Sequence, residues 1–200
     1  MSQTMLSAFV LFALVSSITP GPNNLMLMAS GANFGFRRSI PHMLGIGIGF
    51  VVMVFLVGAG LIQVFDAFPL SYTLLRIGSV GYLLWLAWRI ANAAPPEDGA
   101  EPGAHPLSFL QAALFQWVNP KAWTMALTAV TLYAPDRSMA AIALVALIFG
   151  AVNLPSVSTW TILGQQMRRI LTNPARLRAF NRAMALLLVA TLYPVLLTAA

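Results

Sequence analysis

The sequence predicts an all-α integral membrane protein with six transmembrane helices, arranged as two inverted three-helix repeats with broken first and fourth helices. Three observations predict it. Of 200 residues 59% are hydrophobic and only 8% charged. Charge-poor apolar stretches near the ~20 residues needed to cross a bilayer recur along the chain. A polar-proline interruption falls at the same place in the first and fourth of them.

A water-soluble core of this composition would lack the polar surface to cover it, so lipid is the solvent; the mean hydropathy of +0.81 agrees. The formal charge of +6 does not point to nucleic acid, because a nucleic-acid footprint spreads Lys and Arg over one polar face. Here the basic residues cluster in short loops, as at the cytoplasmic edge of a membrane. The absence of cysteine excludes disulfides, thiolate metal sites and dithiol redox chemistry.

The first stretch runs from about Met5 to Ala32 and is interrupted by Thr19-Pro20-Gly21-Pro22-Asn23-Asn24. It lacks the basic n-region and small-residue cleavage site of a signal peptide and reads as a retained helix. The second, Met43 to Ile62, is rich in glycine (Gly45, Gly47, Gly49, Gly58, Gly60), which favours close helix contacts over ligand contacts. The third spans Leu70 to Asn92, with its charge-free core between Arg76 and Arg89. The fourth, Leu107 to Tyr133, holds one charge, Lys121. The fifth is Met139 to Gly164 and the sixth Ala183 to Ala200. Residues 1–93 and 107–200 form the two repeats, and the Pro-, Gly- and acid-rich residues 94–106 form a linker. Between the fifth and sixth stretches, residues 165–182 carry five arginines and Asn173-Pro174. That pair reads as the cap and first turn of a short helix on the membrane surface.

Loop charge sets orientation. Arg37 and Arg38, then Arg89, then Arg168, Arg169, Arg176, Arg178 and Arg182 follow the first, third and fifth stretches, against Arg137 on the other side. The positive-inside rule places those loops in the cytoplasm and both termini outside.

The two halves align when Thr19-Pro20-Gly21-Pro22 is laid over Asn119-Pro120-Lys121-Ala122, which also sets Phe9 over Phe109. With three spans each, the second half must be inverted, and inverted repeats with broken midplane helices are a transporter pattern. Pro20, Pro22 and Pro120 have no N–H, so the carbonyls of Ser16, Ile18 and Gln116 lose their helical donors. In hydrocarbon such groups need other partners or a water-lined cavity. Past each break the restarting helix offers amides and a positive dipole end, suited to a carboxylate. Asn23, Asn24 and Lys121 stand beside those amides.

Each feature has a plainer reading. A lone proline in a membrane helix is often a kink, but two prolines, a glycine and two asparagines in six residues stop a helix outright. Lys121 lies too deep in its stretch to snorkel, and a deep charge is costly without a function. Arg76 is nearer an interface and either snorkels or serves the site. The five tryptophans are interface anchors or packing, with Trp123 a second candidate for the cavity wall; His42 is most simply an interfacial polar residue.

With these motifs in view, the sequence resembles the LysE/RhtB translocators of bacterial membranes. The likeness runs through ITPGPNNLMLMASGANFGFRRSIPHMLGIGIG, LLRIGSVGYLLWLAWRIAN and FLQAALFQWVNPKAWTMAL, nearly the whole chain. It implies export of amino acids or related solutes across the inner membrane, driven by protons, and points to Pro20, Gly21, Pro22, Asn23, Arg76, Asn119, Pro120 and Lys121.

Function classes divide accordingly. No stretch carries a mid-membrane acid, and the only histidines are His42 and His105, so no catalytic residue, metal site or cofactor is expected. A passive channel for small polar solutes is the alternative, although channels usually repeat subunits about a pore. The expected partners are an amino-acid-like solute, protons and the lipid bilayer, with a second copy of the chain also a candidate. No phosphate-binding loop accompanies an ATP-driven reading. The proton carrier is left open among Asp66, Asp136 and Lys121.

Overall fold

The computed structural model describes residues 1–68, 70–93, 105–134 and 136–193, without the side chains of Ile62 and Val64. Every regular element in them is helical. Helix α1 (Gln3–Ile18) starts on Ser2, whose hydroxyl accepts from the Met5 amide. It stops at the first proline of the polar cluster, and the chain turns 54° into α2 (Pro22–Phe34). Gly35, at φ 81°, makes the tight passage into α3 (Phe36–Leu56) that a residue with a Cβ rarely adopts. A π-helical turn over Val57–Leu61, with Gly60 at φ 113°, leads into the short α4 (Ile62–Ala67). Helix α5 is Leu70–Ala91.

The second half begins with α6 (Phe109–Phe115), capped reciprocally by Ser108 and Gln111. It tightens into a 3₁₀ turn, Gln116–Val118. The chain breaks at Asn119 and restarts as α7 (Pro120–Tyr133), then runs through α8 (Met139–Met167) and α9 (Pro174–Ala190).

Three continuous helical segments among the described residues are long and apolar enough to cross a membrane: Phe36–Leu61, Leu70–Ala91 and Met139–Met167. The bent pair α1 and α2 makes a fourth if taken as one span. The expected fourth stretch is divided at Asn119 into shorter helices. The expected sixth stretch begins inside α9, and residues 194–200 lie outside the described residues, as does the linker from 94 to 104.

The basic segment departs from expectation. Helix α8 runs on to Met167, and Asn173-Pro174 does start a helix, with the Asn173 carboxamide accepting from the Ala175 amide. That helix does not end as a surface piece at Arg182. It continues to Ala190, with Leu177, Asn181, Met184, Ala185 and Leu188 buried on α5 and α2. Apolar spacing on one face carries the helix past the arginines, which stay exposed on the other.

Two apolar clusters fill the interior. One joins α2, α3, α5 and α9 through Leu27, Ile46, Leu83 and Leu188. The other joins α1, α3, α7 and α8 around Phe149, which meets Phe9 and Phe50 edge to face. Leu11, Leu14, Leu110, Leu114, Leu147 and Leu186 point outward, as expected when lipid is the solvent.

Small residues set the helix spacing. A Cβ on Gly31 would strike the Thr161 carbonyl, and one on Gly164 the Met28 carbonyl, so α2 and α8 touch backbone to backbone. Gly45 and Gly49 do the same against Phe109 and Ala113 of α6. These two glycines of the second stretch are thus packing contacts, as expected.

Candidate functional site

The two breaks meet. Pro22 opens α2 with Gly21 as its cap, and Pro120 opens α7 with Asn119 as its cap, the Asn119 side chain accepting from the Lys121 amide at 3.2 Å. The Lys121 stem lies across Gly21, where an added Cβ would come within 2.6 Å of Cδ. Its ammonium donates to the Thr19 carbonyl (2.7 Å), the Thr19 hydroxyl (2.9 Å) and the Pro20 carbonyl (3.3 Å). All three ammonium protons are therefore engaged by the broken end of α1. Among the described residues no carboxylate pairs with it.

The carbonyls stripped by proline are satisfied in a way that local spacing does not reveal. Ser16 O accepts from the Thr19 hydroxyl, and Ile18 O from the Trp160 indole N–H at 3.0 Å. Gln116 O accepts from the Asn119 amide, and Trp117 O from the Trp123 indole at 2.8 Å. Asn24 donates both to Ser17 O and to Thr19 O at 2.8 Å. Each break is thus a structured polar junction, as hydrocarbon requires.

Asn23 reaches from the first half to the second. Its amide donates to Gln116 Oε1 at 2.9 Å and accepts from Gln116 Nε2 at 3.2 Å, while Gln116 also donates to Ala112 O. Asn153 of α8 donates to the Ser17 hydroxyl at 3.3 Å, and its Oδ1 is buried without a partner among the described atoms. A cavity of about 20 Å³ separates these groups, bounded by Gly21, Asn23, Asn24, Asn119, Lys121 and Asn153. Room for about one water is left between them.

Of the residues singled out from sequence, Pro20, Gly21, Pro22, Asn23, Asn24, Asn119, Pro120 and Lys121 gather at this junction. Arg76 does not; it is exposed on α5. Trp123 packs on Phe65 and Trp117 and does not border the cavity. Gln116, Asn153, Thr19 and Trp160 went unselected. One of them carried a signal: Asn153 is a lone carboxamide in an otherwise apolar run, and such a group needs a partner in a membrane. His42, expected as an interfacial polar residue, is covered by protein. It is 2% exposed and borders a second cavity, because the helical repeat of α3 turns it toward α2.

Broken helices meeting at a half-buried ammonium inside an all-helical membrane fold define a solute carrier. Residues 14–192 match the family model described as LysE type translocator. The chain is 32% identical over 194 residues to the cysteine/O-acetylserine efflux proteins of Escherichia coli strain K12 and of Shigella sonnei strain Ss046, covering 94% of this chain and 96% of each relative. No solved structure matches it. The chain belongs to the LysE type translocator family: it is a multi-pass bacterial inner-membrane transporter and not an enzyme.

Proposed function

We propose that the protein exports small zwitterionic amino-acid-like solutes, with proton coupling, through a six-span fold of two inverted repeats whose termini face outward. The observation that carries this reading is Lys121, a cation without an acidic partner among the described residues, held where α2 and α7 both begin. The ammonium and the two dipole ends favour the same ligand charge, a carboxylate. Asn153 Oδ1, buried and unpartnered on the same cavity, is placed to accept from the solute's ammonium. The efflux relatives, named for cysteine and O-acetylserine, support a small polar zwitterion.

Helix packing supports the inverted repeat. With α1 equated to α6 and α3 to α8, the contact of α1 on α8 corresponds to that of α6 on α3, both of which are present. Gly21 and Lys121, equivalent under the 100-residue shift, touch each other, as residues beside a pseudo-two-fold axis would.

The same contacts suggest how binding is coupled to motion. The ammonium ties the end of α1 to the start of α7. A carboxylate competes for those protons and releases the tie, so the liganded protein favours a different arrangement of the two halves. The test is efflux from vesicles preloaded with a panel of amino acids and O-acetyl-L-serine. Saturable export of short polar zwitterions is expected; indifference to every carboxylate-bearing solute would sink the reading.

A further inference from the structure

A cavity of about 110 Å³ lies at the opposite end of α2 from Lys121, among Met26, Ser30, Asn33, His42 and Arg89. An apolar cavity of ~150 Å³ accommodates benzene, so this one has room for a few waters or a small solute. The Lys121 cavity, at about 20 Å³, does not. The polar neighbours are largely committed to one another. Ser30 pairs with Ser39 at 2.7 Å, and Asn33 exchanges hydrogen bonds with Asn181 at 2.8 and 3.0 Å.

His42 is the exception. Both ring nitrogens are buried without a hydrogen-bond partner among the described atoms, a condition that native interiors rarely leave unexplained. Across the cavity Arg89 stacks on Trp85 at 5.1 Å, and among the described residues no carboxylate pairs with it. A ring with one donor and one acceptor to spare, and a guanidinium with no carboxylate partner among the described residues, suit a solute that carries a carboxylate and a hydrogen-bonding group. Asn23 and Asn24 of the first site and Ser30 of the second share α2, about six residues or ~9 Å apart along its axis. Arg37, Arg38 and Arg168 lie at the same end of the fold as this cavity, around the α2–α3 corner.

We propose that this cavity is a second solute site, a vestibule on the basic side of the protein. It binds a small zwitterion with a short polar side chain, its carboxylate on Arg89 and its side chain on His42, before the solute passes along α2 to Lys121. The proposal rests on the export reading for direction and order, but binding at the vestibule can be measured separately.

The experiment uses the full-length Lys121→Met protein in lipid nanodiscs, titrated calorimetrically with O-acetyl-L-serine. One saturable site is expected to remain. Adding His42→Leu or Arg89→Gln should weaken it at least tenfold, while His42→Gln, which keeps a donor and an acceptor, should retain most of the affinity. Thermal unfolding of each variant separates lost binding from lost fold, and Arg89→Gln carries the test if His42→Leu does not fold. Absence of saturable binding in Lys121→Met would mean that the cavity holds water only and would overturn the proposal, as would unchanged affinity in both His42→Leu and Arg89→Gln. Vestibule binding by a parental protein that exports no zwitterion would leave this site standing and remove the export reading.

Discussion

The Lys121 side chain crosses Gly21 and delivers its ammonium to the Thr19 carbonyl at 2.7 Å. One contact thus joins the two proline breaks, which are about a hundred residues apart in sequence. It makes the Lys121 ammonium a clasp between the two halves.

Lys121→Met should insert and fold normally yet export at background rate, since the stem is kept and only the charge is removed. Lys121→Arg should also fail, because a planar guanidinium cannot reproduce a compact ammonium over Gly21. Vesicle efflux with matched expression checks both. Parental export by Lys121→Met would make the ammonium structural.

Gly21→Ala should leave the fold intact, because the backbone there is extended and the atom displaced is a flexible lysine stem. The ammonium would be pushed off Thr19, and export should fall about tenfold, equivalent to ~1.4 kcal/mol. Initial efflux rates against those of Lys121→Met decide it; an unaltered rate would show that the clasp has no part in transport.

The Asn23–Gln116 pair should behave non-additively. Gln116 is 0% exposed, and removing Asn23 alone leaves its carboxamide short of a partner, at ~1–3 kcal/mol. The double replacement by leucine should recover part of that stability. A double-mutant cycle on unfolding in detergent reads the coupling, and strictly additive losses would contradict the pairing.

Gly31→Val and Gly164→Val should each destabilise the fold by about 1–3 kcal/mol or more, because the obstacle is the facing backbone, which cannot swing away. The same change at Gly78, which has open space around it, should be mild. Melting temperatures in one detergent give the comparison, and equal effects at the three positions would remove the close α2–α8 contact as the cause.

Export should stop when an ionophore collapses the proton gradient and should be indifferent to ATP depletion at a clamped gradient. Efflux continuing unchanged after collapse would exclude proton coupling.

The sequence by itself determined the solvent, the helical class, the two breaks and most of the residues around them. Composition and the lack of amide protons on Pro20, Pro22 and Pro120 are local properties that need no tertiary contact. Only the tertiary structure decided what those breaks do. Trp160 answers the Ile18 carbonyl, Gln116 pairs with Asn23, and Asn153 faces Lys121 across one cavity, through separations no spacing rule can reach. The same holds for His42 and for the helix through Arg182. A polar residue near a predicted interface reads as exposed, and a run of arginines reads as a surface segment, until the neighbouring helices show which face is covered. Periodicity says that a helix has two faces; only the packed partner determines which is buried and whether a buried polar group is met.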